Sequence, residues 1–428
     1  MYKLPGYITH YEEAGAIYIS SQLLQNKVML DDLAIQEEFR ALINAGGCET
    51  ISTPLTQFLH EQELLLNEDE IRSALVSFKE LLNDTLLLTI MPTEACNFRC
   101  PYCYEDHRPV TMGRETATQL QKYIAEQASH FRYVRINWFG GEPTLCKDTL
   151  LETNTLVQEL QKSYPFQFTS SMTTNGYLLD LNSFKQYYAA GITDYQITLD
   201  GWDHDKTRPH VSGEGTLETI LGNLTALASL PADEYAFHVI LRRNILAGDM
   251  DFSWYDHLFK LFGVDNRFSV VVIPVGDWGG ETVKELKVAF EEERRNLQEA
   301  HEAYLEKIGM SFERTKNSLF SNICYAAYPY GFVFRANGMI EKCTIAQDHP
   351  RNCVGHVDPN RGVVLDNAAN RRWNSGDLRP ECGSCTYVLS CLNLACKKPT
   401  AIDGCSEESC PYTELFRLRD RQVKEQEH

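Results

Sequence analysis

A chain of 428 residues is long enough for two or three domains, each with a core of its own. Its 59 acidic residues against 40 basic ones give a net charge of −19, which disfavours nucleic acid and anionic membrane as partners. No basic start leads into an apolar segment and no run approaches a membrane span, so a soluble, cytoplasmic protein is expected. The 14 cysteines are clustered, three at 96–103 and nine between Cys324 and Cys410, with Cys48 and Cys146 isolated. Without a secretory signal, such clusters point to metal rather than to a disulfide framework.

Residues 1–85 read as a small separate unit. Ala16–Ser20 and Val28–Leu30 are expected to pair as a hairpin. Asp31–Asn44 then carries Ile35, Phe39, Leu42 and Ile43 at helical spacing, with Gly46 as a stop. Further helices are expected at Pro54–His60 and at Glu68–Asn83, the latter striped by Ile71, Leu75, Phe78 and Leu82. A hairpin followed by helices resembles the winged-helix element that binds the leader of a ribosomally made precursor peptide. The alternative is a purely structural extension.

The apolar run Leu86–Met91 reads as a buried strand and is followed at once by Cys96, Cys100 and Cys103 in C-x3-C-x2-C spacing. The thiols therefore fall on a loop at a strand's C-terminal end, where open α/β sheets and barrels keep their chemistry. Three thiolates this close suit an iron–sulfur cube with one corner unligated. A zinc site would need a distant fourth ligand. With an aromatic, Tyr102, before the third cysteine, the segment resembles the signature of radical S-adenosylmethionine (SAM) enzymes. That resemblance implies a [4Fe-4S] cluster whose free iron is chelated by SAM. It also implies cleavage to a 5′-deoxyadenosyl radical that abstracts a substrate hydrogen.

From Leu86 to about Gly309, strands and helices alternate, which implies a parallel sheet or barrel. Strands are expected at Leu86–Met91, Val134–Phe139, Phe166–Thr173, Tyr195–Leu199, Tyr235–Arg242 and Phe268–Pro274, with helices between them and a long charged helix near Val283–Ile308. The six units match the partial (β/α)6 TIM-like barrel of the radical SAM enzymes. Gly140, Gly141, Glu142 and Pro143 close the second strand; the glycines permit close approach of a ligand, and a carboxylate can hold an ammonium group. The resemblance places this segment at the SAM amino group. It places Thr174 and Asn175, after the third strand, and Asp200, after the fourth, near the SAM ribose and carboxylate. It pairs Arg208 with that carboxylate. Each of these motifs taken singly also reads as a turn or helix cap.

After Gly309 the apolar periodicity fades. Cys324 is followed by thirteen residues, Gly338, four residues and Cys343; Cys382, Cys385, Cys391 and Cys396 follow at x2, x5 and x4 spacing, then Cys405 and Cys410. Alone, the second run would also pass as a zinc ribbon. The pattern resembles the SPASM extension of radical SAM enzymes, which holds two auxiliary [4Fe-4S] clusters. The resemblance assigns Cys324, Cys343 and Cys396 to the first cluster, with Cys353 as fourth ligand or with one iron open. It assigns Cys382, Cys385, Cys391 and Cys410 to the second, with Cys405 as an alternative. The domains expected are 1–85, 86–309 and 310–428.

Radical SAM/SPASM enzymes with an N-terminal recognition element mostly cross-link ribosomal peptides. The expectation is a peptide maturase forming a thioether, or a carbon–carbon bond, with a precursor peptide as partner and a flavodoxin- or ferredoxin-type electron donor. The rival within the group, a formylglycine-generating sulfatase maturase, would carry an acid directly after Cys343, where Thr344 stands. A non-enzymatic zinc- or cluster-binding interaction protein is the reading from another class.

Overall fold

Three short antiparallel strands open the chain: β1 (Ile8–Glu13), β2 (Ala16–Ser21) and β3 (Asn26–Leu30), in the order β1-β2-β3. They belong to a computed structural model that describes residues 1–13, 15–24, 26–276, 286, 291–313, 323–374, 377–403 and 410. β2 and β3 are the expected hairpin. β1 gives no apolar alternation, since every residue after Ile8 is exposed, and it escapes a pattern search for that reason. Helices follow at Leu33–Asn44, Pro54–Glu61 and Glu68–Glu80. The last is closed by a capping box: Glu70 N donates to Asn67 Oδ1 at 3.0 Å and Asn67 N to Glu70 Oε2 at 2.9 Å. Glu68, Asp69 and Glu70 in its first turn complement the helix dipole.

The chain divides into two compact units. The first holds Met1–Asn83 with the described parts of 315–329 and 371–428. The second holds Asp84–Arg314, as far as it is described, with Tyr330–Asn370.

The second unit is built on one sheet. β4 (Thr85–Ile90), β5 (Tyr133–Trp138), β6 (Gln167–Thr174), β7 (Ile192–Thr198), β8 (His238–Ile245) and β9 (Phe268–Pro274) lie side by side in sequence order, every pair parallel. Helices Arg114–Gln127, Lys147–Gln161, Leu181–Ala189, Leu217–Ala228 and Ser253–Phe262 make the crossovers. This is the expected α/β architecture, the six-stranded partial barrel. All six residues of β4 are buried, as the continuous apolar run of a central parallel strand requires. The described part of the long charged helix is Glu291–Ile308; most of 283–290 lies outside the described residues.

The sheet continues past β4. β10 (Gly331–Phe334) pairs parallel to it, and β11 (Met339–Glu341), β12 (Cys353–Asp358) and β13 (Gly362–Leu365) follow antiparallel. These strands fall beyond the composition change at Gly309, yet they add to the barrel sheet and cover the edge that β4 would otherwise present. They are three to six residues long, too short for their periodicity to stand out. No helix among the described residues is long and apolar enough to cross a membrane.

Candidate radical SAM site

The loop between β4 and the helix at Arg114 carries Cys96, Cys100 and Cys103 at the C-terminal end of the strand. Its base is pinned: Thr93 Oγ1 donates to Val110 O at 3.0 Å, and Glu94 N donates to Val110 O at 2.9 Å. Its far side is held by the segment after β7. Arg99 N donates to Pro209 O and Val211 N to Asn97 O, both at 2.9 Å, and Phe98 bridges His210.

The GGEP segment closes β5 against this loop. Gly141 N donates to Thr93 O at 3.1 Å and Glu142 N to Ala95 O at 2.9 Å. A Cβ on Gly140, whose φ is +104°, would stand 2.5 Å from Thr93 O, and one on Gly141 2.2 Å from Ala95 O. The glycines are therefore required by close packing on the cysteine loop's own backbone. Glu142, 1% exposed, is likewise engaged within the chain. Its Oε1 accepts from Thr144 N (3.0 Å), Thr144 Oγ1 (2.6 Å) and Thr174 Oγ1 (2.7 Å), and its Oε2 from Asn175 N (2.7 Å). Four donors meet a carboxylate with about four lone-pair sites, so this side chain ties the ends of β5 and β6 together. Pro143, buried, begins the short 3-10 turn that brings Thr144 back to it.

Asn175 extends the tie to the cysteines, its Nδ2 donating to Asn97 Oδ1 at 2.7 Å. Tyr102, Asp200 and Arg208 also meet. Tyr102 Oη donates to Asp200 Oδ2 at 2.5 Å and accepts from Arg208 Nη1 at 3.0 Å. Thr207 Oγ1 donates to the same Asp200 oxygen at 2.8 Å, and Asn244 to the other through N (3.3 Å) and Nδ2 (3.2 Å). Arg208 lies 5.6 Å over the Phe98 ring, and its Nε has no partner among the described residues. All nine non-cysteine residues singled out in the sequence thus gather around the cysteine loop. Pattern reading missed Asn97, Thr207, Arg242 and Asn244. The signal lay in β8, where Arg242, Arg243 and Asn244 interrupt an otherwise apolar strand.

The donor set fits an iron–sulfur cluster. Backbone N–H groups point at all three sulfurs, Phe98 N at Cys96 Sγ (3.4 Å), Glu105 N at Cys103 Sγ and Cys100 N at its own Sγ. Such bonds favour the thiolate. Burial works against ionisation and pushes the Cys96 and Cys103 thiols up to about 12, while Cys100, also raised by burial, is countered by Arg208. Iron binding displaces those protons. Among the described residues no three Cys, His, Asp or Glu side chains close on a single metal ion. A cuboidal cluster takes one thiolate per iron and so does not require that they do.

In the first unit, Cys385 and Cys410 pack on a buried cluster of Tyr387, Cys391 and Ala395. Cys382, Cys385 and Cys391 each feel the charge of Cys410, and burial raises all three. These four cysteines stand together. Cys324, half-buried, and Cys396, exposed, belong to the same unit. Cys343, buried, and Cys353, whose thiol lies 3.5 Å from Gly355 O, belong to the sheet unit. Cys405 lies outside the described residues.

Residues 90–243, which include the cysteine loop and the ends of β5, β6 and β7, match the model of the radical SAM superfamily. GTP 3′,8-cyclase of Haemophilus ducreyi is 30% identical over 178 residues, 40% of this chain and 49% of that protein. The enzyme of the same name from Photorhabdus laumondii is 24% identical over 218 residues, 49% of this chain and 61% of that protein. The chain spans about half the length of the curated relatives it matches. Among solved structures, native anSMEcpe with bound AdoMet and Cp18Cys peptide shares the fold, with a TM-score of 0.53 at 16% identity over 76% of this chain and 92% of that one. Residues 90–243 thus match a radical SAM domain, and they lie on a partial barrel.

Proposed function

We propose, from the premise of that radical SAM domain, that the protein is a maturase that cross-links a peptide, a thioether being the favoured product. The observation that carries the reading is the cysteine loop itself, hydrogen-bonded to the ends of the neighbouring strands. Cys96, Cys100 and Cys103 would hold the [4Fe-4S] cluster. When bound, the cluster and SAM supply a 5′-deoxyadenosyl radical able to remove a substrate hydrogen. Arg208, with its unpartnered Nε and its seat on Tyr102, is suited to the SAM carboxylate. Because the Glu142 carboxylate is taken up by Thr144, Thr174 and Asn175, the contribution of GGEP to the SAM amino group falls to its backbone carbonyls.

The peptide arm of the proposal rests on the two flanking regions. The sheet-then-helices unit at the N-terminus would bind a leader segment. The gathered Cys382, Cys385, Cys391 and Cys410 would hold an auxiliary [4Fe-4S] cluster. Such clusters can take up the electron released on bond formation or ligate a peptide thiolate, and a flavodoxin- or ferredoxin-type protein would supply reducing equivalents. Thr344 is buried and its hydroxyl pairs with Tyr104, so no carboxylate occupies the place a sulfatase maturase would need. A second reading, nucleotide cyclisation, is favoured by the curated sequence relatives.

Anaerobic reconstitution tests the core of the proposal. The holoprotein is expected to convert SAM to 5′-deoxyadenosine under reductant, read by liquid chromatography with mass detection. The Cys96→Ala/Cys100→Ala/Cys103→Ala variant is expected to lose that product. Retention of cleavage in the variant places the chemistry elsewhere. Incubation with GTP decides the second reading, since a cyclised nucleotide product would replace the peptide proposal.

A further inference from the structure

Arg242 lies on β8 two residues before Asn244, so the two share a face of the strand, while Arg243 between them points to the other. Its Nε donates to Asn244 Oδ1 at 2.9 Å, and Asn244 in turn donates to Asp200. That bond fixes the plane of the guanidinium. Neither Nη of Arg242 has a hydrogen-bond partner among the described residues. Three other arginines of this unit are matched by carboxylates: Arg243 by Asp249, Arg267 by Asp265, and Arg335 by Glu94 and Glu341.

The groups that act on Arg242 are those of the candidate site: Tyr102, Tyr104, Asp200 and Arg208. Asp200 is the carboxylate among them, and it already accepts from Tyr102, Thr207 and Asn244. Burial pushes Arg242 down from its ordinary value, with Tyr102, Tyr104 and Asp200 acting the other way. Arg242 is half-buried, and a fork held through Nε with two free Nη groups is shaped for a planar oxyanion.

We propose that Arg242 binds a carboxylate of the substrate, so that the peptide acted on carries an acidic group beside the reacting position. The proposal rests on the peptide reading above and adds the chemistry that selects the peptide. A carboxylate suits one fork, whereas a polyphosphate calls for several cations and would meet Asp200 and a chain of net charge −19.

The test uses reconstituted full-length protein loaded with SAM, and a library of random hexapeptides, N-acetylated and C-amidated. Peptides retained by the wild type are expected to be enriched in Asp and Glu about tenfold over the input, the effect of one charge-assisted pair. The enrichment should vanish in Arg242→Gln and be weakened in Arg242→Lys, which keeps the charge without the fork. Iron content and circular dichroism establish that each variant is folded; if the Gln variant is not, the Lys variant decides. The same acidic enrichment in wild type and variant, or none in either, overturns the proposal. A loss of SAM affinity in Arg242→Gln with unchanged peptide selection assigns the guanidinium to the SAM carboxylate and also overturns it. Arg242-dependent retention of GTP in place of acidic peptides assigns it to phosphate and overturns it as well. Failure of the peptide reading itself would show separately, as a wild type that cleaves SAM and retains no peptide.

Discussion

At the scale of single residues, the site is built from polar groups that hold one another. Glu142 binds Thr144, Thr174 and Asn175, and Asp200 binds Tyr102, Thr207 and Asn244; in both, a buried carboxylate is satisfied by donors from different strand ends. His204 belongs to the same layer. It is fully buried, accepts from Asp200 N through Nδ1, and is pushed down to about 4, first by burial and then by Arg208. Its folded-state pKa lies below the unfolded value, so the unfolded chain takes up the proton first. The neutral ring's contribution is complete above pH ~6.5 and is lost as the pH falls toward ~4, on the order of 3 kcal/mol over that window. Urea unfolding of the wild type and of His204→Asn, which preserves an acceptor for Asp200 N, checks this. The variant should lose less stability between pH 7 and pH 4.5, and equal losses would remove His204 from the account.

At the scale of elements, the strands beyond β4 clamp the cysteine loop from the side opposite GGEP. Arg335, just after β10, is fully buried. It donates to Glu94 Oε1 at 2.5 Å, Asp348 Oδ1 at 2.8 Å and Glu341 Oε1 at 3.4 Å. Glu94 lies two residues before Cys96, so the loop's entry is tied to the β10–β11 hairpin. Removing one member of a buried ion pair leaves the other charge uncompensated. Arg335→Met is therefore expected to cost about 3–5 kcal/mol in chemical denaturation. Adding Glu94→Gln and Glu341→Gln should recover most of that loss, because the stranded charges are then gone. A triple variant no better than the single one would show that packing, rather than charge, is what Arg335 supplies.

At the scale of the whole molecule, the net charge of −19 disfavours nucleic acid and anionic membrane, and the cysteines concentrate in two regions of the chain. Each compact unit carries cysteines of its own. Cys382, Cys385, Cys391 and Cys410 are gathered in the first, and Cys96, Cys100 and Cys103 lie on the barrel loop of the second. If both sets hold cubane clusters, replacing Cys385 and Cys391 by Ser should lower the iron content by roughly four atoms per chain. The signal from the barrel cluster should persist in Mössbauer or electron paramagnetic resonance spectra. Iron unchanged by that double substitution, with zinc found in the first unit, would instead make this group a structural metal site.

The partial barrel was legible in the sequence because parallel strands buried on both faces are written as near-continuous apolar runs, and Leu86–Met91 and Phe268–Pro274 are such runs, each with one hydroxyl residue. The cysteine triad was legible because its ligands are close in sequence, where spacing alone constrains geometry. The short strands β10–β13 were not legible, since what makes them strands is the edge of β4, a partner more than two hundred residues away. The roles of Gly140, Gly141 and Glu142 also waited on tertiary structure. A motif shows that a tight turn and a carboxylate are present, but which backbone the glycines approach and which donors fill the carboxylate are decided by strands that meet only in the fold. Arg242 is the extreme case, for what singles it out is a fork held through Nε with neither Nη partnered among the described residues, and a sequence does not record surroundings.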